Sequence, residues 1–232
     1  MEKPKKIGIL GGLSPESTVP YYKYIVDFSA KYLPELVYPE VVIYSVNFAE
    51  VVKNMRSGHP EKVRELFQYV IDNFNNMGVE VFAIACNTMH IHLPHLNTYD
   101  MEVVHIVDAV ANEAKASGYK KLMLFGTKRL LDSGLYKEMM KGYGLQVLYP
   151  DEEDAIAIDK LIFRLGNGDL GEDAQADAVY YVEKYKDKAD AIILGCTELP
   201  LVVPKGRYNT LDTTYLHARA IFEKATGVKV EY

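Results

Sequence analysis

Two side chains in the sequence combine reactivity near neutral pH with matching surroundings. They are Cys86 in Ala83-Ile84-Ala85-Cys86-Asn87-Thr88 and Cys196 in Ile193-Leu194-Gly195-Cys196-Thr197-Glu198, 110 residues apart. Two cysteines in 232 residues are too few for a disulfide framework or a Cys-rich zinc site. Each follows an apolar, strand-like run and precedes a polar stretch that is expected to open a helix. A helix start offers free N–H groups and a positive dipole end, which suits an anionic ligand and lowers a thiol pKa from its usual ~8.5. If the chain segments that carry the thiols face each other about a pseudo-twofold axis, the two sulfurs approach one cleft from opposite sides. Such a pair suits inversion at a carbon acid: one thiolate removes a proton from one face and the other thiol protonates the opposite face. The plain alternative is that each cysteine is a small buried hydrophobe.

Strand-like runs at Ile7–Leu10, Val41–Val46, Val81–Ala85, Val103–Ile106, Lys121–Phe125, Gln146–Leu148, Ala191–Leu194 and Thr210–Leu211 alternate with helical patterns. The helical patterns include Glu61–Met77, Ala109–Ser117, Asp151–Leu165, Glu172–Tyr185 and Thr213–Lys224. This alternation predicts an α/β fold with parallel sheets flanked by helices. Short, wholly apolar runs are what strands buried on both faces require. Ser14 and Pro15 supply a capping hydroxyl and a proline for the start of one helix.

The sequence also repeats itself. Ile7-Gly8-Ile9-Leu10-Gly11-Gly12 resembles Leu122-Met123-Leu124-Phe125-Gly126-Thr127, and at the same offset of 115 residues Ser17-Thr18 falls on Asp132-Ser133 and Tyr21 on Tyr136. Two similar lobes with one cysteine each are therefore expected. The first takes residues 1–106 and 209–232, the second residues 107–208, with the active site in the cleft between them.

Composition narrows the class. Hydrophobic residues make up 49% and charged residues 25%, the balance of a globular chain, and the net charge is −6 without a basic stripe. Nucleic acid is not the expected partner. No apolar run approaches the roughly 18 residues of a membrane helix, and the start of the chain lacks the pattern of a signal peptide. A cytoplasmic protein without membrane contact is expected. Tyr21, Tyr22 and Tyr24, if they face outward, would suit the contact of a homodimer.

Other features point away from bound cofactors. His90, His92 and His95 follow Cys86 at H-x-H-x-x-H spacing, but no further Cys or carboxylate ligand stands nearby, and no metal is expected. His90 is instead expected either at the surface or just behind the site, where it would orient Cys86. Gly8-x-x-Gly11-Gly12 departs from the dinucleotide fingerprint. The acidic run from Asp151 to Asp154 suits a helix N-terminus.

Three motifs resemble a known family. Ile-Gly-Ile-Leu-Gly-Gly-Leu-Ser-Pro-Glu-Ser-Thr (Ile7 to Thr18), Ala-Cys-Asn-Thr-Met-His (Ala85 to His90) and Gly-Cys-Thr-Glu (Gly195 to Glu198) are similar to those of the aspartate/glutamate racemase family. The stretch from Ser14 to Tyr22 is most similar to its bacterial branch of broad or aspartate/glutamate specificity. The resemblance implies cofactor-independent inversion of aspartate, glutamate or a related amino acid, without pyridoxal phosphate or metal. It makes Cys86 and Cys196 the two bases and places Asn87, Thr88, Thr197 and Glu198 around the amino-acid head group. Gly12, Leu13 and Ser14 would cover the substrate, with Thr127 at the equivalent turn of the second lobe. Met55 falls where relatives carry a polar substrate contact. Arg56, Lys160 and Arg164 are the cations nearest to where some aspartate racemases bind the side-chain carboxylate. A hydantoin racemase or an arylmalonate-decarboxylase-like enzyme is an alternative within the superfamily. A redox-switched or amino-acid-binding module without turnover is an alternative of another class.

Overall fold

The computed structural model describes residues 3–231. The elements follow in the order β1 (Ile7–Gly11), α1 (Pro15–Tyr32), β2 (Val41–Ser45), α2 (Phe48–Arg56), α3 (Pro60–Asn76), β3 (Val81–Ile84) and β4 (Glu102–Val103). They continue with α4 (Ile106–Ala116), β5 (Lys121–Phe125), α5 (Lys128–Ser133), α6 (Leu135–Lys141), β6 (Gln146–Leu148) and α7 (Glu152–Gly166). The last are α8 (Glu172–Tyr185), β7 (Ala191–Leu194), β8 (Thr210–Asp212) and α9 (Thr213–Thr226).

The strands form two four-stranded sheets, ordered β2-β1-β3-β4 and β6-β5-β7-β8, and every pairing is parallel. The two orders are one pattern used twice, which is the repeat seen in the sequence. All eight sequence-predicted strands are present, with shifts at their ends. The largest shift is at β4, where only Glu102 and Val103 pair and α4 already starts at Ile106.

The chain divides into two compact units. One holds the residues up to His105 and those from His217 onward, and the other is the continuous stretch Ile106–Leu216. Expected in the first lobe, Ile106 and residues 209–216 fall in the second unit instead. That stretch carries β8, whose Thr210, Leu211 and Asp212 pair with Ile192, Ile193 and Leu194 of β7, so it belongs to the second sheet.

Side-chain alternation explains why the strands read as unbroken apolar runs. In β5, Leu122 and Leu124 enter a cluster with Val107, Val110 and Ala114 of α4, whereas Met123 and Phe125 enter another with Ile158, Leu161 and Ile162 of α7. A strand buried on both faces has no polar side to show. In the first unit, Leu10, Phe82 and Ile84 pack with Phe67, Val70, Ile71 and Phe74 of α3. Gly8 is needed there, because a Cβ at that position would lie 2.9 Å from the Phe74 ring and 2.8 Å from Val79.

The first unit is tied together by both ends of the chain. The Lys5 N–H donates to the Ala225 carbonyl at 2.8 Å, and Glu102 pairs with both Lys5 and Lys224. Tyr21 and Tyr136, which fall on each other in the repeat, are both fully buried. The helix that follows the first strand differs between the repeats. It runs unbroken over 18 residues as α1, but Gly134, at φ 69°, splits its counterpart into α5 and α6. Among the described residues no helix is long and apolar enough to cross a membrane.

Candidate active site

In an open parallel sheet, ligands bind beyond the carboxyl ends of the strands where the strand order reverses direction. In the order β2-β1-β3-β4 that point lies between β1 and β3, and in β6-β5-β7-β8 it lies between β5 and β7. Gly12, Leu13 and Ser14 follow β1 and Cys86, Asn87 and Thr88 follow β3, so neighbouring strand ends carry both segments. Thr127 follows β5, and Cys196, Thr197 and Glu198 follow β7, at the equivalent place in the second unit. Each unit thus brings its own predicted residues together.

The loop after β1 is fixed by its backbone. Gly12 adopts φ +81°, where a Cβ would stand 2.4 Å from the Val46 carbonyl oxygen. Its N–H donates to the Thr18 hydroxyl at 2.8 Å, and that hydroxyl donates to the Ser14 carbonyl at 3.2 Å. Ser14 occupies the N-cap of α1 with Pro15 behind it, as expected, but its hydroxyl does not cap the helix and instead bonds the Ser17 hydroxyl at 2.8 Å. Thr127 does cap its helix, accepting from the Leu130 N–H at 3.2 Å.

Both cysteines are half-buried, and neither is joined in a disulfide. At the end of β3 the Cys86 N–H donates to the Ile84 carbonyl at 2.8 Å, a three-residue turn that reverses the chain. At the end of β7 the Gly195 N–H donates to the Phe125 carbonyl at 2.7 Å, holding the last residue before Cys196 on the sheet. The α-helices expected after each cysteine are 3₁₀ segments instead, Thr88–His95 and Leu199–Leu201. Pro94 and Pro200 lie within them and lack the N–H that a longer helix would use. The dipole acting on either thiol is correspondingly smaller than a full helix would supply.

The histidines after Cys86 do not converge as their spacing suggested. His92 packs edge-on against Phe67 and His95 is exposed. His90 is 1% exposed, which rules out the surface position, and its Nδ1 bonds the Cys86 carbonyl at 2.8 Å. Its ring lies 4.5 Å from that of His105 and 5.5 Å from that of His217. A carbonyl only accepts, so Nδ1 of His90 carries the hydrogen. His217 Nε2 faces the Val104 carbonyl at 2.8 Å and therefore carries its own hydrogen, which leaves Nδ1 to accept from the Tyr21 hydroxyl at 3.0 Å. Burial, with smaller contributions from its imidazole neighbours, holds His90 well below the ordinary imidazole range. Burial pushes His217 down to about 3. Both rings are neutral at physiological pH, so His90 and His217 support the strand end without adding charge. His105 and the Tyr21–His217 pair share no spacing or motif in the sequence that would group them. Val104 and His105 lie just beyond the end of β4, and His90 lies in the 3₁₀ segment after β3.

The remaining predicted residues divide by exposure. Asn87 and Thr88 are buried beside Cys86, and Met55, in the last turn of α2, packs against the first unit's core. Glu198 is 7% exposed; its Oε2 accepts from the Cys196 thiol at 2.8 Å and from the Thr197 hydroxyl at 3.0 Å. Arg56 and Lys160 are exposed on α2 and α7. Arg164 is clamped by Asp169 and Asp177, at 2.8 and 2.7 Å, so its charge is already neutralised by two carboxylates.

The sequence matches the family described as Asp/Glu/hydantoin racemase over residues 10–221. It is 28% identical over 204 residues to the broad specificity amino-acid racemase RacX of Bacillus subtilis (strain 168), spanning 85% of this chain and 87% of that protein. The structure is similar to that of an aspartate racemase homologue from Pyrococcus horikoshii OT3, with 33% identity, a TM-score of 0.81, and coverage of 96% of this chain and 99% of the other. The fold is also that of the Picrophilus torridus aspartate racemase, with a TM-score of 0.78 at 23% identity over 95% and 94% of the two chains. With the match running through both cysteine-bearing strand ends, the chain belongs to the Asp/Glu/hydantoin racemase family.

Proposed function

We propose that the protein is a cofactor-independent amino-acid racemase that inverts the α-carbon of aspartate, glutamate or a related amino acid, with Cys86 and Cys196 as its two bases. One observation carries this reading: in both units the thiol stands at the end of the third strand beside the loop after the first, where the strand order reverses. The broad specificity amino-acid racemase and the aspartate racemase homologue among its relatives support an amino-acid substrate. In the forward step the Cys86 thiolate takes the α-proton; the C–H bond breaks, an S–H bond forms, and the electron pair is spread from Cα into the α-carboxylate. Cys196 then gives its proton to the opposite face of Cα, and its bonding pair stays on sulfur. The buried Asn87 and Thr88 and the Gly12-Leu13-Ser14 loop hold the head group. The mechanism requires both thiols to reach one substrate. The exposed Val19 and Tyr22 on α1 are the proposed contact of a homodimer, whereas Tyr21 is fully buried and Tyr24 stacks on Phe28. Solution mass at low concentration checks this, and a monomer would refute it.

The test is solvent-deuterium incorporation at Cα together with chiral chromatography over a panel of amino acids, aspartate and glutamate first. Wild type is expected to interconvert both enantiomers, and Cys86→Ser and Cys196→Ser each to lose interconversion. Full racemisation by either variant removes the two-base assignment. Binding without isotope exchange in wild type removes the racemase reading.

A further inference from the structure

The two thiols are not placed alike. The Cys196 thiol donates to Glu198 Oε2 at 2.8 Å, and the Thr197 hydroxyl donates to the same oxygen at 3.0 Å. One carboxyl oxygen thus takes both the thiol and the hydroxyl, the arrangement that suits an acceptor-only carboxylate, the form in which Glu198 enters the inference below. Only 7% of Glu198 is exposed, so water screens this charge weakly. Two effects then act in the same sense. The hydrogen bond is made by the protonated sulfur alone, and a negative charge in contact with sulfur opposes a second one. At the other strand end, the side chain bonded to the Cys86 carbonyl is the neutral His90.

We infer that Glu198 is a positioning residue that keeps Cys196 as a protonated thiol in the resting enzyme, leaving Cys86 to start as the base. The assignment of acid and base rests on the two-base reading above; the state of Cys196 does not. Glu198 thereby acts on the reaction through sulfur, a role distinct from the contact with the substrate head group expected from sequence. Each turnover that begins at Cys86 leaves a thiolate next to the carboxylate. The enzyme resets when Cys196 regains a proton and Cys86 releases one to solvent.

The experiment is iodoacetamide alkylation of the free enzyme between pH 6 and 9.5, with each cysteine followed separately by peptide mass analysis. The midpoint of each profile reports thiol ionisation independently of access. The Cys196 midpoint is expected at least one pH unit above that of Cys86, which is about tenfold less thiolate at pH 7. Glu198→Gln keeps the size and an acceptor for the S–H and removes the charge. It is expected to lower the Cys196 midpoint, raise its rate at pH 7 severalfold and leave Cys86 unchanged. A wild-type Cys196 midpoint at or below that of Cys86 overturns the inference, as does a Glu198→Gln profile that does not move. The wild-type comparison decides the matter even if the variant misfolds. Neither readout uses turnover, so a failure here is distinguishable from a failure of the racemase reading.

Discussion

The Tyr21 hydroxyl donates to Nδ1 of His217 across 3.0 Å, joining two residues 196 positions apart in an interior where both are fully buried. Tyr21→Phe removes the donor and leaves a buried imidazole nitrogen without it, a loss of about 1–3 kcal/mol. A lower urea midpoint with an unchanged slope is the expected result. A midpoint equal to wild type would show that the bond contributes nothing net.

The same histidine sets an acid limit. His217 is held at about 3 in the fold against an ordinary value of 6.5. As pH falls below about 6.5, the unfolded chain binds a proton that the folded one refuses, so stability falls with pH, and the loss grows until about pH 3. At pH 5 His217 alone removes about 2 kcal/mol, and the buried His90 acts in the same direction. Urea titrations at pH 8 and pH 5 check this. His217→Gln is expected to show a smaller difference between the two pH values than wild type, and an equal difference would assign the loss to other groups.

Two glycines separate steric cost from backbone strain. Gly12 and Gly118 have φ of +81° and +75°, but a Cβ at Gly12 would meet the Val46 backbone at 2.4 Å, whereas at Gly118 it meets nothing within 4 Å. Gly118→Ala is expected to lose about 1–2 kcal/mol from the left-handed backbone alone. Gly12→Ala is expected to lose more, and to lose racemisation with it, because the loop after β1 must move away from β2. Thermal unfolding of the two variants side by side makes the comparison, and equal losses would contradict it.

The residues before the two cysteines are not interchangeable. Ala85 precedes Cys86 and Gly195 precedes Cys196; a Cβ on Gly195 would stand 2.7 Å from the Phe125 carbonyl and 2.8 Å from a Leu124 methyl. Ala85→Gly is expected to cost about 0.5–1 kcal/mol and keep turnover. Gly195→Ala is expected to lift Cys196 from the strand end and reduce kcat/KM by at least about tenfold, or about 1.4 kcal/mol of barrier. Initial rates measured from both enantiomers check each variant.

What could be read from the sequence follows from periodicity. The strands were legible because Leu122 through Phe125 and Ala191 through Leu194 fill both faces with apolar groups. The pairing of each cysteine with a glycine-bearing turn was legible because the repeat preserves it. The elements α2, α5 and α6 were not legible: α2 has nine residues and α5 and α6 have six and seven, too few turns for a clear period. The segments after the cysteines read as helix starts because polar residues precede apolar ones, a pattern that a 3₁₀ turn shares. The contact between Cys196 and Glu198 spans two residues and depends on that tighter turn, which composition does not specify. Nearness to the family's side-chain cation positions offered Arg164 as a cation for substrate; its two carboxylate partners are Asp169 and Asp177 of α8.

The bond between the Lys5 N–H and the Ala225 carbonyl also bears on the order of synthesis. Residues 106–216 form a continuous unit and leave the ribosome as a complete set. The strands β1 to β4 are made earlier, yet their unit lacks the part of α9 from His217 onward until the chain has run past residue 225. The half of the protein that is made first is therefore the half that finishes last.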